Sequence, residues 1–206
     1  MKKLLFLSLI ISIIAGCSDK NKQAALDAEK NSDALKADSV NNIFFPVTSF
    51  LKGQLNLLDS IQVTLLQVNT KGGKSDSVWI PREKIRPLLQ PFIADVIDNE
   101  KLAPFFKESK FNDQSTAAIT FTYEPKTAIP DSIVIRHWDV YVNPETGTVK
   151  RVYILKTVKL NNQVYTQQLT WQTDKWAKLV TILNMADGKS EIESEMQLIW
   201  DLSVHQ

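Results

Sequence analysis

From Ala117 to Trp200 the chain alternates apolar and polar residues in short runs, and each run ends at a turn signal: "EPKTAIPD", "NPETG", "NN", "TDK" and "DG". A period of two puts every second side chain on one face of a strand, and connections this short join neighbours only as antiparallel pairs. The pattern predicts a meander of about six strands. Its registers can be tested on paper, because a slip of one residue turns a whole strand over. With Asn161-Asn162 as a two-residue turn, Val158 faces Tyr165, Ile154 faces Leu169 and Val152 faces Trp171. With Asp187-Gly188 as another, Leu183 faces Ile192, Leu179 faces Met196 and Ala177 faces Leu198. An even loop at Thr173-Asp174 would set Leu169 against Lys178 and turn one core outward. An odd loop sets Leu169 against Leu179 and is the expected one.

Upstream, "IFFPVTSFLKGQLNLLDS" brings Phe44, Phe45, Val47, Phe50, Leu51, Leu55 and Leu58 at helical spacing behind Pro46, a residue favoured at helix starts. A hairpin follows around Gly72-Gly73, since paired glycines supply the positive φ of tight turns. Ile85, Leu88, Leu89, Phe92, Ile93 and Val96 then recur with helical period. Pro87 and Pro91 each remove a backbone donor, so this helix should start late or kink. A weaker helical stretch spans "NEKLAPFFKESKF". The expected fold is α+β: a curved antiparallel sheet of about six to eight strands, covered on one face by two or three helices, chiefly those near 46–58 and 85–97. The other face should carry Tyr153, Leu155, Val164, Val180 and Ile182 among Lys159, Glu193 and Glu195.

The N-terminal stretch answers a different question. Met1-Lys2-Lys3 precedes the apolar run "LLFLSLIISIIA", which is too short for a span of about 20 residues and has the proportions of a secretory signal. Ile14-Ala15-Gly16-Cys17 resembles the lipobox of bacterial lipoproteins. The resemblance implies cleavage between Gly16 and Cys17 and lipidation of the Cys17 thiol, hence a chain held on a membrane of the bacterial envelope, the outer membrane foremost, on its periplasmic or its surface side. Cys17 is the only cysteine. Once acylated, it leaves neither disulfide nor thiolate chemistry. Residues 18–40 hold no aromatic residue and little large apolar surface, as a tether does. The organisation read from the sequence is therefore signal 1–16, lipidated tether 17–41 and one globular domain 42–206.

Losing Lys2 and Lys3 with the signal leaves 22 basic against 23 acidic side chains. Nucleic acid is excluded as a partner, since its binding needs a clear positive excess. No metalloprotease, nucleophile-elbow, phosphate-loop or dinucleotide motif is present, and no cofactor is expected. The histidines are His137 and His205. His137 and Asp139 stand two apart on one strand and so share a face, where the carboxylate would orient the imidazole as in a general-base pair. Glu191, Glu193 and Glu195 alternate down one face in the same reading; such a row could attract a hard cation, but a solvated strand face is the expected reading.

"WDVYVNPETGTVKRVYILK", residues 138–156, resembles the strand-turn-strand segment of the small envelope domains called PepSY, and that resemblance implies a non-catalytic binding or inhibitory module. Turn chemistry gives the same residues a role, with Pro144 presetting φ and Gly147 taking the left-handed position. An odd loop over 143–147 sets Trp138 against Val152 and turns His137 and Asp139 away from the core. A four-residue loop would bury them against Ile154 and Val152. The odd loop is expected, because an unpaired buried charge is costly. Three functional readings follow: a non-enzymatic binding or scaffold protein of the envelope, meeting a protein or other ligand there; a carrier of apolar ligands with a helix-closed sheet; and a hydrolase using His137 and Asp139.

Overall fold

A computed structural model describes residues 44–61, 63–97, 99–113 and 117–201, all within the unit Ile43–Gln206. The expected signal (1–16) and tether (17–41), with Gly16 and Cys17, and also His205, lie outside the described residues. Pro46 stands just ahead of helix α1 (Val47–Ser60), which buries Val47, Leu51, Leu55 and Leu58 at three- and four-residue spacing. Gly72 and Gly73, at φ 55° and 73°, then join β1 (Leu65–Lys71) to β2 (Lys74–Ile80). A 3-10 turn over Arg82–Lys84 leads into helix α2 (Ile85–Ile93), and α3 (Asn99–Leu102) is a single turn. Seven strands follow: β3 (Phe106–Asp113), β4 (Ala118–Pro125), β5 (Ile135–Val142), β6 (Val149–Leu160), β7 (Gln163–Gln172), β8 (Trp176–Asn184) and β9 (Ser190–Ile199). They form one antiparallel sheet in the order β2-β1-β9-β8-β7-β6-β5-β4-β3.

The α+β expectation is corrected: this fold is mainly β. Nine strands form the sheet, more than the six to eight expected, and only α1 and α2 exceed one helical turn. Part of the surplus is β3, whose first six residues, "FKESKF", were expected to belong to a helix. Its eight residues pair in unbroken register with β4, Phe106 opposite Pro125 through Asp113 opposite Ala118. The other difference is the length of α2. Pro87 sits in its first turn, where a missing N–H costs little, but the helix stops at Ile93 and leaves Val96 44% exposed. The freed C-terminal carbonyl of Pro91 accepts a hydrogen bond from Lys156 Nζ at 2.6 Å, and the same ammonium reaches Asp95 Oδ2 at 2.7 Å. Lys156 is buried on β6 between core positions. It acts as the C-terminal cap of α2, where a cation meets the unpaired carbonyls and the negative end of the helix dipole.

The core lies where α1 and α2 meet the middle of the sheet. Phe92 of α2 packs edge-on against Trp171, and Trp171 packs against Trp200, at 5.7 and 5.1 Å between centroids. The meander registers follow from turn residues. Asn161 and Asn162, both at positive φ, give Val158 opposite Tyr165 and Val152 opposite Trp171, as expected. The odd loop at 173–175, with Asp174 at positive φ, sets Leu169 against Leu179. The "DG" turn differs: its loop runs 185–189, closed by Met185 N–H to Lys189 O. A bulge between Thr181 and Ile182 absorbs the extra residue, so Leu179–Met196 and Ala177–Leu198 hold while Leu183 meets Glu191 and Ile192 is 58% exposed.

Candidate functional site

The strand pairing brings the sequence-derived pair His137 and Asp139 together on the face of the sheet that points away from the helices. The "NPETG" turn closes as a loop over 143–148, with Asn143 N–H to Thr148 O and Gly147 at φ 70°. That loop has six residues, an even number that alone would reverse the faces, but a bulge between Tyr141 and Val142 restores the phase, so Trp138 stands opposite Ile154 rather than Val152 and keeps the facing expected of an odd loop. Trp138 is therefore core, and its two neighbours face outward. The same phase across four strands lays out two rows. One runs Thr122, Asp139, Tyr153, Thr170; the next runs Thr120, Tyr141, Arg151, Gln172, each residue directly opposite the one before.

Asp139 anchors the first row. It is only 9% exposed although it lies on the outer face. His137 Nε2 donates to its Oδ2 at 3.0 Å and Thr122 Oγ1 to its Oδ1 at 2.7 Å. Burial pushes the carboxyl pKa upward, but the hydrogen bonds from His137, Thr122 and Tyr141 outweigh it, and the net shift is downward. His137 moves the opposite way. The hydrogen bond to Asp139 raises the imidazole pKa, and partial burial offsets only part of that rise. Burial first, then the nearby Asp139 charge, raises the Tyr153 phenol.

The second row supplies a cation. The Arg151 guanidinium lies 3.9 Å from the centre of the Tyr141 ring, and among the described residues it forms no ion pair. A shallow depression of about 260 Å³ is lined by Asp139, Tyr141, Arg151, Tyr153 and Thr170. A smaller one of about 120 Å³ adjoins it through Tyr141 and Arg151, and Ala118, Lys150 and Gln172 complete its lining. Together they offer a guanidinium, phenols, hydroxyls and a fixed carboxylate along one cleft.

The hydrolase reading needs a hydroxyl activated by the imidazole, with the carboxylate behind it. Here the Thr122 hydroxyl bonds to Asp139 and not to His137. The three glutamates do not share a face: Glu195 lies opposite Val180 and pairs with Lys178 at 2.5 Å, Glu193 falls at the bulge, and Glu191 lies opposite Leu183. That corrects the reading of the three as one alternating face. Among the described residues no group of His, Asp, Glu or Cys is placed to hold a metal ion. The face reading holds for Tyr153, Leu155, Val164, Val180 and Ile182, which all share the outer phase. Sequence reasoning missed Tyr141, Arg151, Thr122 and Thr170. The available signal was the run of polar and aromatic residues at neighbouring out-of-phase positions, Thr120 and Thr122 on β4, Asp139 and Tyr141 on β5, Arg151 and Tyr153 on β6, Thr170 and Gln172 on β7. No protein-family model matches the chain, and a search of curated protein sequences finds no match either.

Proposed function

We propose that this chain is a lipid-anchored protein of the bacterial envelope that binds a small polar ligand on the outer face of its sheet, without catalysing a reaction on it. The address comes from the lipobox-like Ile14-Ala15-Gly16-Cys17, with the outer membrane as the proposed site of anchorage. The binding role is carried by one observation: Asp139 is a nearly buried carboxylate held by its neighbours, beside an Arg151 that is stacked on Tyr141 instead of paired to it. Burying a charge costs free energy unless it is paired and hydrogen-bonded, and here His137 and Thr122 offset that cost while fixing the carboxylate beside Arg151. A stacked, unpaired guanidinium suits a planar or anionic oxygen group. The apolar-carrier reading requires a cavity between helices and sheet, and Phe92, Trp171 and Trp200 fill that interface.

Mass spectrometry of protein purified gently from its own membrane tests both halves. The expected spectrum shows an acylated Cys17 in the wild type, none in Cys17→Ala, and a polar small molecule retained by the wild type and lost from Arg151→Ala. A retained lipid that survives Arg151→Ala would move the carrier reading ahead of this one, and an unacylated Cys17 would remove the address.

A further inference from the structure

The opposite, helix-bearing face holds a second cleft near the β3 edge, independent of the one above. It has about 290 Å³ and is lined by Phe44, Phe45, Pro46, Glu108, Phe121 and Tyr123. Direct pairing across β3 and β4 sets Glu108 opposite Tyr123 and Lys110 opposite Phe121. Tyr123 is the floor. Its hydroxyl accepts the Phe45 N–H at 3.1 Å and donates to Glu108, and burial together with that carboxylate raises its pKa above the usual tyrosine range. Phe44 packs edge-on against Tyr123 at 5.0 Å, so the aromatic walls are held in place.

Glu108 is the unusual member. It is half-buried among aromatic rings, and among the described residues no basic side chain pairs with it. The Tyr123 hydroxyl that bonds to it is a neutral group, so the carboxylate's charge remains open to a cation. The ring beside it already attracts a cation: Lys110 Nζ lies 5.5 Å from the centre of Phe121. Aromatic faces present negative charge to cations, and rings grouped around one carboxylate are the chemistry that recognises methylated ammonium groups. We infer that this notch binds a compact alkylammonium group, with Phe45 and Phe121 as walls and Glu108 as counter-charge. Lys110 is then an internal competitor for the Phe121 face. The group would belong to a free solute such as choline or to a lipid headgroup.

Ligand-observed saturation-transfer NMR on the full chain in maltoside micelles separates the possibilities. The probes are choline, its neutral isostere 3,3-dimethylbutan-1-ol, and a phosphocholine lipid doped into the micelles. Transfer to the choline methyls is expected at concentrations up to about 50 mM, with the neutral isostere and the Glu108→Gln variant each weaker by about tenfold. Lys110→Ala should bind choline more tightly. Transfer to the doped lipid with the same Glu108 dependence, and none to free choline, would support the inference and assign the source to a headgroup. Equal binding of choline and its isostere would overturn it, leaving an apolar notch, as would no transfer to any ammonium probe. The isostere comparison uses the unmodified chain, so it stands whether or not a variant folds.

Discussion

Replacing Lys156 with Ala should lower the unfolding free energy by about 2 to 4 kcal/mol, measured as a shift in denaturant midpoint at unchanged slope. Two losses add. The aliphatic stem fills core space between Ile154 and Val158, and the ammonium satisfies the Pro91 carbonyl at the end of α2. Asp95, left behind, is 37% exposed at its side chain and regains water, which keeps the cost below that of a fully buried broken pair. Lys156→Met retains the stem and loses only the cap, so it should cost about half as much. A loss under about 0.5 kcal/mol for Lys156→Ala would mean that α2 ends without this contact.

Asp139→Asn should cost about 1 to 2 kcal/mol, and the cost should depend on pH. The folded Asp139 pKa is lowered, so its contribution is present above the unfolded value of about 4 and is lost as pH falls through the folded pKa. The folded His137 pKa is raised, so its contribution is full below the unfolded value of about 6.5 and is lost as pH rises through the folded pKa. The pair therefore contributes most between about pH 4 and 6.5. Thermal unfolding of wild type and variant at pH 5.5, 9 and 2.5 should show the largest gap at pH 5.5. A gap independent of pH would mean that the His137–Asp139 ion pair contributes nothing. His137 shares this contact, so its replacement should not be the neutral change expected of an exposed strand residue.

The meander was legible because its turns are chemically explicit. Asn161-Asn162 and the odd loop at Asp174 each require positive φ, and apolar matching then selects one register. His137 and Asp139 face outward as expected, but not by the expected odd loop: the "NPETG" loop has six residues, and a bulge between Tyr141 and Val142 restores the parity that an even loop breaks. The register logic failed at Ile192, where a bulge compensates for an extra loop residue, because bulges leave no signature in an alternating polar sequence. The strand β3 was misread because Leu102, Phe105 and Phe106 stand three and four residues apart, as on a helix, while the polar run after them shows no clear alternation, and pairing with β4 decides the matter. Lys156 carried a readable signal: a charge at an in-phase position between Ile154 and Val158 needs a buried partner. The partner, a helix end 65 residues earlier, was not readable.

Everything assigned to the outer face depends on one register, in which Thr122, Asp139, Tyr153 and Thr170 stand directly opposite one another. Cross-strand backbone NOEs in the isotope-labelled chain measure it without reference to any ligand. Contacts should join Thr122 to Asp139, Asp139 to Tyr153 and Tyr153 to Thr170. Contacts from Asp139 to Arg151 or Val152 instead would break the row, separate Arg151 from Tyr141, and contradict the cleft on which the proposed binding role stands.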